Sequence, residues 1–109
     1  MATVFKVLGQ KAPASATQTQ LYAVPSGKSA VVSSINICNR GTTNATFRLA
    51  VQPANAAITN VHYISYNTLV PSRDTISMAL GMSLAATDVI SVYANNALLT
   101  FSAFGSEIS

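Results

Sequence analysis

The stretch "SAVVSSINIC", residues 29–38, followed after a short break by "ATFRLAVQ", residues 45–52, decides the reading of this chain. Strict alternation over 29–38 places Val31, Ser33, Ile35 and Ile37 on one face. Ala30, Val32, Ser34, Asn36 and Cys38 then fall on the other. Over 45–52, Ala45, Phe47, Leu49 and Val51 point inward, and Thr46, Arg48, Ala50 and Gln52 outward. A period of two with high β-branched content marks strands that have one covered face. "NRGTTN" (39–44) centres on Gly41 and reads as the turn of a hairpin joining the two.

Working outward, other strand signals flank this pair. "ATVFKVL" (2–8) alternates Phe5 and Val7 against Val4 and Lys6. The small-residue loop 9–19 is long for a hairpin and is expected to cross between sheets. "QLYAV" (20–24) runs into "PSGK", where Gly27 supplies the positive φ of a type II turn. Further strands are expected over 61–69, 74–80, 88–94 and 97–105. Residues 81–87 read as a loop with some helical propensity, and Asn95-Asn96 as a tight hairpin turn. The sum is an all-β chain, an antiparallel β-sandwich of about eight strands, immunoglobulin-like or jelly-roll. It is read as one domain over 1–109, with residues 1–12 as an extended contact arm.

The composition is unusual for such a domain. Of 109 residues, 50% are hydrophobic and only 8% charged, against about 25% charged in an average soluble domain. A surface so poor in charge points to coverage by further copies or by a partner. The most apolar run, 77–90, is too short to span a membrane and contains Gly81 and Asp88. The first residues lack a basic segment leading an apolar one, so synthesis and folding in a cytoplasm are expected. The lone Cys38 fits a reducing compartment. The six basic residues, Lys6, Lys11, Lys28, Arg40, Arg48 and Arg73, are scattered, which speaks against nucleic-acid binding.

Chemistry is sparse. His62, the single histidine, is placed on a strand and has no ligand-spaced neighbour. Cys38 sits on a regular strand and reads as a small buried hydrophobe. Asp74 and Asp88 precede strands, where aspartate caps turns. With Glu107 they complete the carboxylates, and no acid pair is evident. No catalytic, cofactor or metal residue is assigned, and the chain is expected not to be an enzyme. The tyrosines Tyr22, Tyr63, Tyr66 and Tyr93 suit an interface, because each pairs an apolar ring with a polar tip. Tyr63 and Tyr66 have opposite parity, so one should face the core and one a partner. The interface candidates are Phe5, Lys6, Tyr22, Arg48, Tyr63, Tyr66 and Arg73.

"LYAVPSGKSAVVSSINICNRG", "ATFRLAVQPANAAI" and "TDVISVYANNALLTFSAFGSEIS" together resemble a family of small virion proteins of tailed bacteriophages, many of them infecting cyanobacteria. The resemblance rests on "VPSGKSAVVSSI", "CNRG" and "FGSEI" in that order. It implies a β-sandwich capsid cement (decoration) protein on the capsid exterior. It implies homotrimers that clamp neighbouring major capsid protein subunits, and no catalytic residues. The competing expectation is a tail or baseplate sandwich that binds host glycan. The loops 9–19, 39–44, 53–60 and 81–87 hold no aromatic, which counts against that alternative.

Overall fold

The computed structural model describes residues 3–109. Met1 and Ala2, the first residues of the expected strand and arm, lie outside them. Eight strands form: β1 (Thr3–Lys11), β2 (Thr19–Ala23), β3 (Ser29–Asn39), β4 (Ala45–Gln52), β5 (Tyr63–Val70), β6 (Thr75–Leu84), β7 (Val89–Ala94) and β8 (Leu99–Ile108). They build two four-stranded antiparallel sheets in the orders β1-β8-β3-β6 and β2-β7-β4-β5. This is a jelly-roll sandwich, which resolves the choice between the two expected topologies.

The orders correct two expected hairpins. β3 and β4 lie in different sheets, as do β7 and β8. Among the described residues only β4 and β5 are both consecutive and paired. The 40–44 segment is a crossover, and the buried Asn39 holds it in place. Its amide nitrogen donates to the Thr43 carbonyl (2.9 Å) and the Val70 carbonyl (3.1 Å), and its Oδ1 accepts from Gly41 N–H (2.9 Å). A side chain that closes its own turn in this way replaces the ladder a hairpin would supply. The loop after β1 does cross between sheets, as expected.

β-Bulges correct the expected faces. In β3 the register slips between Val32 and Ser34 against both neighbours. Ala30 and Val32 are therefore buried together with Ile35 and Ile37, while Val31 and Ser33 are not. An extra residue in one strand swaps the face of everything beyond it. Gly105 of β8 pairs with Val32 beside this bulge, and a Cβ there would stand 2.0 Å from the Val31 carbonyl oxygen. β6 continues to Leu84, so 81–84 is strand and not loop. Its apolar side chains Ile76, Met78, Leu80 and Met82 pack on the core. In the 25–28 turn Lys28 N–H reaches the Pro25 carbonyl (3.2 Å), which puts Pro25 first and Gly27 third, with φ +77°.

Between the sheets Phe47 of β4 meets Phe101 of β8 edge-on, with ring centroids 5.9 Å apart. Ile35, Ile37, Leu49, Ile90, Val92 and Leu99 surround them. Each fully buried side chain of this size contributes about 1.5–3 kcal/mol.

Candidate functional site

Two clusters of charged side chains and tyrosines stand out, one reaching between the sheets and one on the outer surface of the β2-β7-β4-β5 sheet. The inner one is centred on Glu107. β8 runs between β1 and β3, which sets Glu107 opposite Val4 and Ala30 and leaves it 6% exposed. Tyr22, on the other sheet, donates its hydroxyl to Glu107 Oε2 at 2.6 Å. Lys6 Nζ lies 3.2 Å and Lys28 Nζ 3.8 Å from Oε1. The Tyr22 hydrogen bond, helped by the two lysines, holds the Glu107 carboxyl below its ordinary range against the opposing effect of burial. Burial pushes the Tyr22 phenol above its ordinary range, and the adjacent carboxylate pushes it further. One carboxylate, one phenol and two ammonium groups make a clamp that ties β1, β2, β8 and the turn before β3 together.

The outer cluster is centred on Arg48, on the outward face of β4. Its neighbours across the ladder are β7 on one side and β5 on the other. Tyr93, its register partner on β7, puts its ring centroid 4.4 Å from the guanidinium carbon, and Tyr66 of β5 puts its own at 4.3 Å. Arg48 Nε donates to Asn67 Oδ1 at 2.8 Å. Tyr63 meets Tyr66 edge-on at 4.8 Å. A hollow of about 270 Å³ opens beside the guanidinium, lined among others by Gln18, Tyr63, Ser91 and Tyr93. Tyr63 also borders a more open hollow of about 370 Å³ with Asn60 and Tyr66. Among the described residues no carboxylate lies within ion-pair distance of Arg48: the ion pairs all end on Glu107.

The expected residues therefore part company. Arg48, Tyr63 and Tyr66 come together. Tyr63 and Tyr66 share one face, not opposite faces, because β5 slips register between Tyr63, opposite Ala50, and Ser65, opposite Leu49. Tyr22 and Lys6 belong to the inner clamp, with Tyr22 buried. Phe5 stands 84% exposed on β1, an edge strand whose residues 3–7 are all exposed. Arg73 is exposed in the turn before β6, and its N–H reaches the Gly41 carbonyl (3.1 Å).

His62 is not on a strand. It sits in a short 3₁₀ turn, Asn60–His62, and its Nδ1 accepts from Thr59 N–H at 3.0 Å. Cys38 is half-buried on the outer side of β3, which corrects its reading as a buried hydrophobe. Asp88 caps as expected, accepting from Ala54 N–H and Ala85 N–H, both at 2.9 Å. Asp74 accepts from Thr75 N–H at 2.8 Å. Among the described residues no group of three or more His, Cys, Asp or Glu side chains could hold a metal ion, and no helix is long and apolar enough to cross a membrane.

Sequence reasoning did not find Gln18, Asn67 and Ser91, or the meeting of Tyr93 with Arg48. The available signal was the row of outward positions on β4. It becomes usable only once β7 and β5 are known to flank that strand. The clustered aromatics stand on a sheet face and not on the loops.

No family model matches this chain, and no curated protein matches it. Among solved structures the chain is similar to one from the structure of infectious bursal disease virus, Gx strain. The TM-score is 0.54 at 8% identity, over 97% of this chain and 31% of the other. The chain thus spans about a third of the length of that viral chain, and the likeness is one of fold.

Proposed function

We propose that this protein is a structural virion component, a capsid cement protein that binds the outside of a phage head as a homotrimer and braces neighbouring major capsid protein subunits. The observation that carries the reading is the apolar edge. β1 exposes Val4 (53%), Phe5 (84%) and Val7 (47%) along a strand with no neighbour on its outer side among the described residues. An exposed apolar edge strand is a template for pairing with another chain. The opposite sheet has its own apolar edge at β5, where Ile64 and Leu69 are exposed and Val61 lies just ahead.

In this reading β1 docks on the shell and β5 joins copies of the chain. Two such edges on a chain with 8% charged residues suit a surface made to be covered. Several modest contacts per trimer add up through multivalency. The shell gains stability because the trimer binds the assembled state and not separate subunits. No reaction is involved. Synthesis takes place in the host cytoplasm and the protein ends on the capsid exterior. The resemblance of "VPSGKSAVVSSI", "CNRG" and "FGSEI" to phage virion proteins and the fold shared with a chain of a virus structure both support a virion role.

The test is light scattering behind a sizing column, followed by rebinding to stripped phage heads. A trimer that raises the temperature of head disruption, and a Phe5→Ser variant that remains folded but no longer rebinds, are the expected results. A monomer with no effect on the heads defeats the proposal. The tail or baseplate reading keeps one observation in its favour, the tyrosines around Arg48 on an open sheet face.

A further inference from the structure

From the geometry around Arg48 we infer a binding site for an acidic oligosaccharide, one that carries a carboxylate on a sugar ring. The site lies on the face of the second sheet, so it stands whether the chain sits on a head or on a tail.

The argument begins with the cation. Arg48 is fixed on three sides: its Nε is engaged by Asn67 Oδ1, and the rings of Tyr66 and Tyr93 flank the guanidinium from the two neighbouring strands. Its single hydrogen bond among the described residues uses Nε, which leaves the Nη donors free. A guanidinium held flat and without a carboxylate of its own is prepared for bidentate pairing with a carboxylate. The rings keep it from folding away, so little rotamer entropy is lost on binding.

The shape then decides between a bare anion and a sugar. A carboxylate alone fills a small part of a hollow of about 270 Å³. Its lining offers neutral hydrogen-bonding groups, the Gln18 amide and the Tyr63 and Tyr93 rings with their hydroxyls, beside the apolar Ile58 and Val92. Ring hydroxyls need such groups, and sugar C–H faces need such rings. The second hollow shares Tyr63 with the first and adds Asn60 and Tyr66. Adjoining hollows with one shared aromatic suit two linked sugar units and have no use for a single small anion.

The experiment is a titration of the ¹⁵N-labelled full chain, followed by amide shifts on β4, β5 and β7. The probes are digalacturonic acid, its methyl ester, and glutarate. The acid is expected to bind at millimolar strength, the ester and glutarate at least tenfold more weakly. Arg48→Gln should abolish binding, and Arg48→Lys should weaken it roughly tenfold, the loss of one charge-assisted hydrogen bond. Asn60→Ala, which alters the second hollow alone, should bring the dimer toward the affinity of galacturonic acid, titrated as a fourth probe. Retained shifts elsewhere on the sandwich certify that each variant is folded. Equal binding of the ester removes the carboxylate from the proposal, and equal binding of glutarate removes the sugar. No shifts with any probe overturn the site. Neither result touches the rebinding assay above, so the two readings fail separately.

Discussion

Glu107 and Arg48 are both charged, and the fold treats them in opposite ways. Glu107 is sunk against three partners drawn from three separate parts of the chain, and every one is internal. Arg48 is held as firmly, but by one neutral amide and two rings, and its charge faces out unanswered. A charge satisfied from within serves the architecture. A charge fixed in place and left unsatisfied is available to something outside the molecule. In a chain with so few charges, that contrast is the most useful guide to what each sheet does.

The contrast can be broken first at Glu107. Replacing it with Ala strands the Tyr22 hydroxyl in the interior and leaves Lys6 and Lys28 facing each other. The loss should be about 3 kcal/mol, read as a lower urea midpoint. Tyr22→Phe keeps the ring and removes only the donor to the carboxylate, so a loss of about 1–2 kcal/mol is expected by the same measurement. The two lysines are nearly half exposed, and each should add less than about 1 kcal/mol.

Acid sharpens the comparison. The folded state holds Glu107 below its ordinary value, so its contribution is whole above about pH 4.3 and fades as pH drops through the lowered folded value. Glu107→Gln should remove that part of the acid sensitivity, seen in urea midpoints between pH 5 and 3. In alkali the sign is reversed. Tyr22 is raised, so its contribution is whole below about pH 10 and is lost above it. An ultraviolet titration should show one phenol ionising beyond the ordinary tyrosine range, and Tyr22→Phe should abolish that step.

The smallest effect belongs to Arg48. Arg48→Ala loses two half-exposed ring contacts and should cost about 1 kcal/mol or less. A loss near that of Glu107→Ala would mean that Arg48 is a structural group too, and the contrast would collapse.

How far these two sites were legible in the sequence follows from what each depends on. The strands over 29–38 and 45–52 announce themselves through local alternation, and the sandwich follows from their number. The faces of β3 and β5 did not follow, because a bulge leaves no mark on composition. Ser33 looks like any other strand serine, yet the slip beside it moves Val31 out and Val32 in. The slip between Tyr63 and Ser65 does the same for Tyr63 and Tyr66. Glu107 read as one of three isolated carboxylates because its partners stand 79 to 101 positions away: Lys28 is at 28, Tyr22 at 22 and Lys6 at 6. Arg48 could be placed on an outward face by parity alone. Its two flanking rings could not, because they arrive from β5 and β7, and nothing local in the sequence says that those strands border β4.

The place of β8 has a consequence for the order of events during folding. It is the eighth strand along the chain, yet it fills the gap between β1 and β3. Until residues 99–108 are available, the first sheet lacks its middle, and β1 has no strand to pair with at all. A nascent chain stopped before Leu99 would hold β1 and its exposed Phe5 unpaired. The sandwich must therefore close late and over long loops, which makes for slow folding. The strand that carries Glu107 is also the one that completes the sheet, so the clamp locks only when the last piece is in.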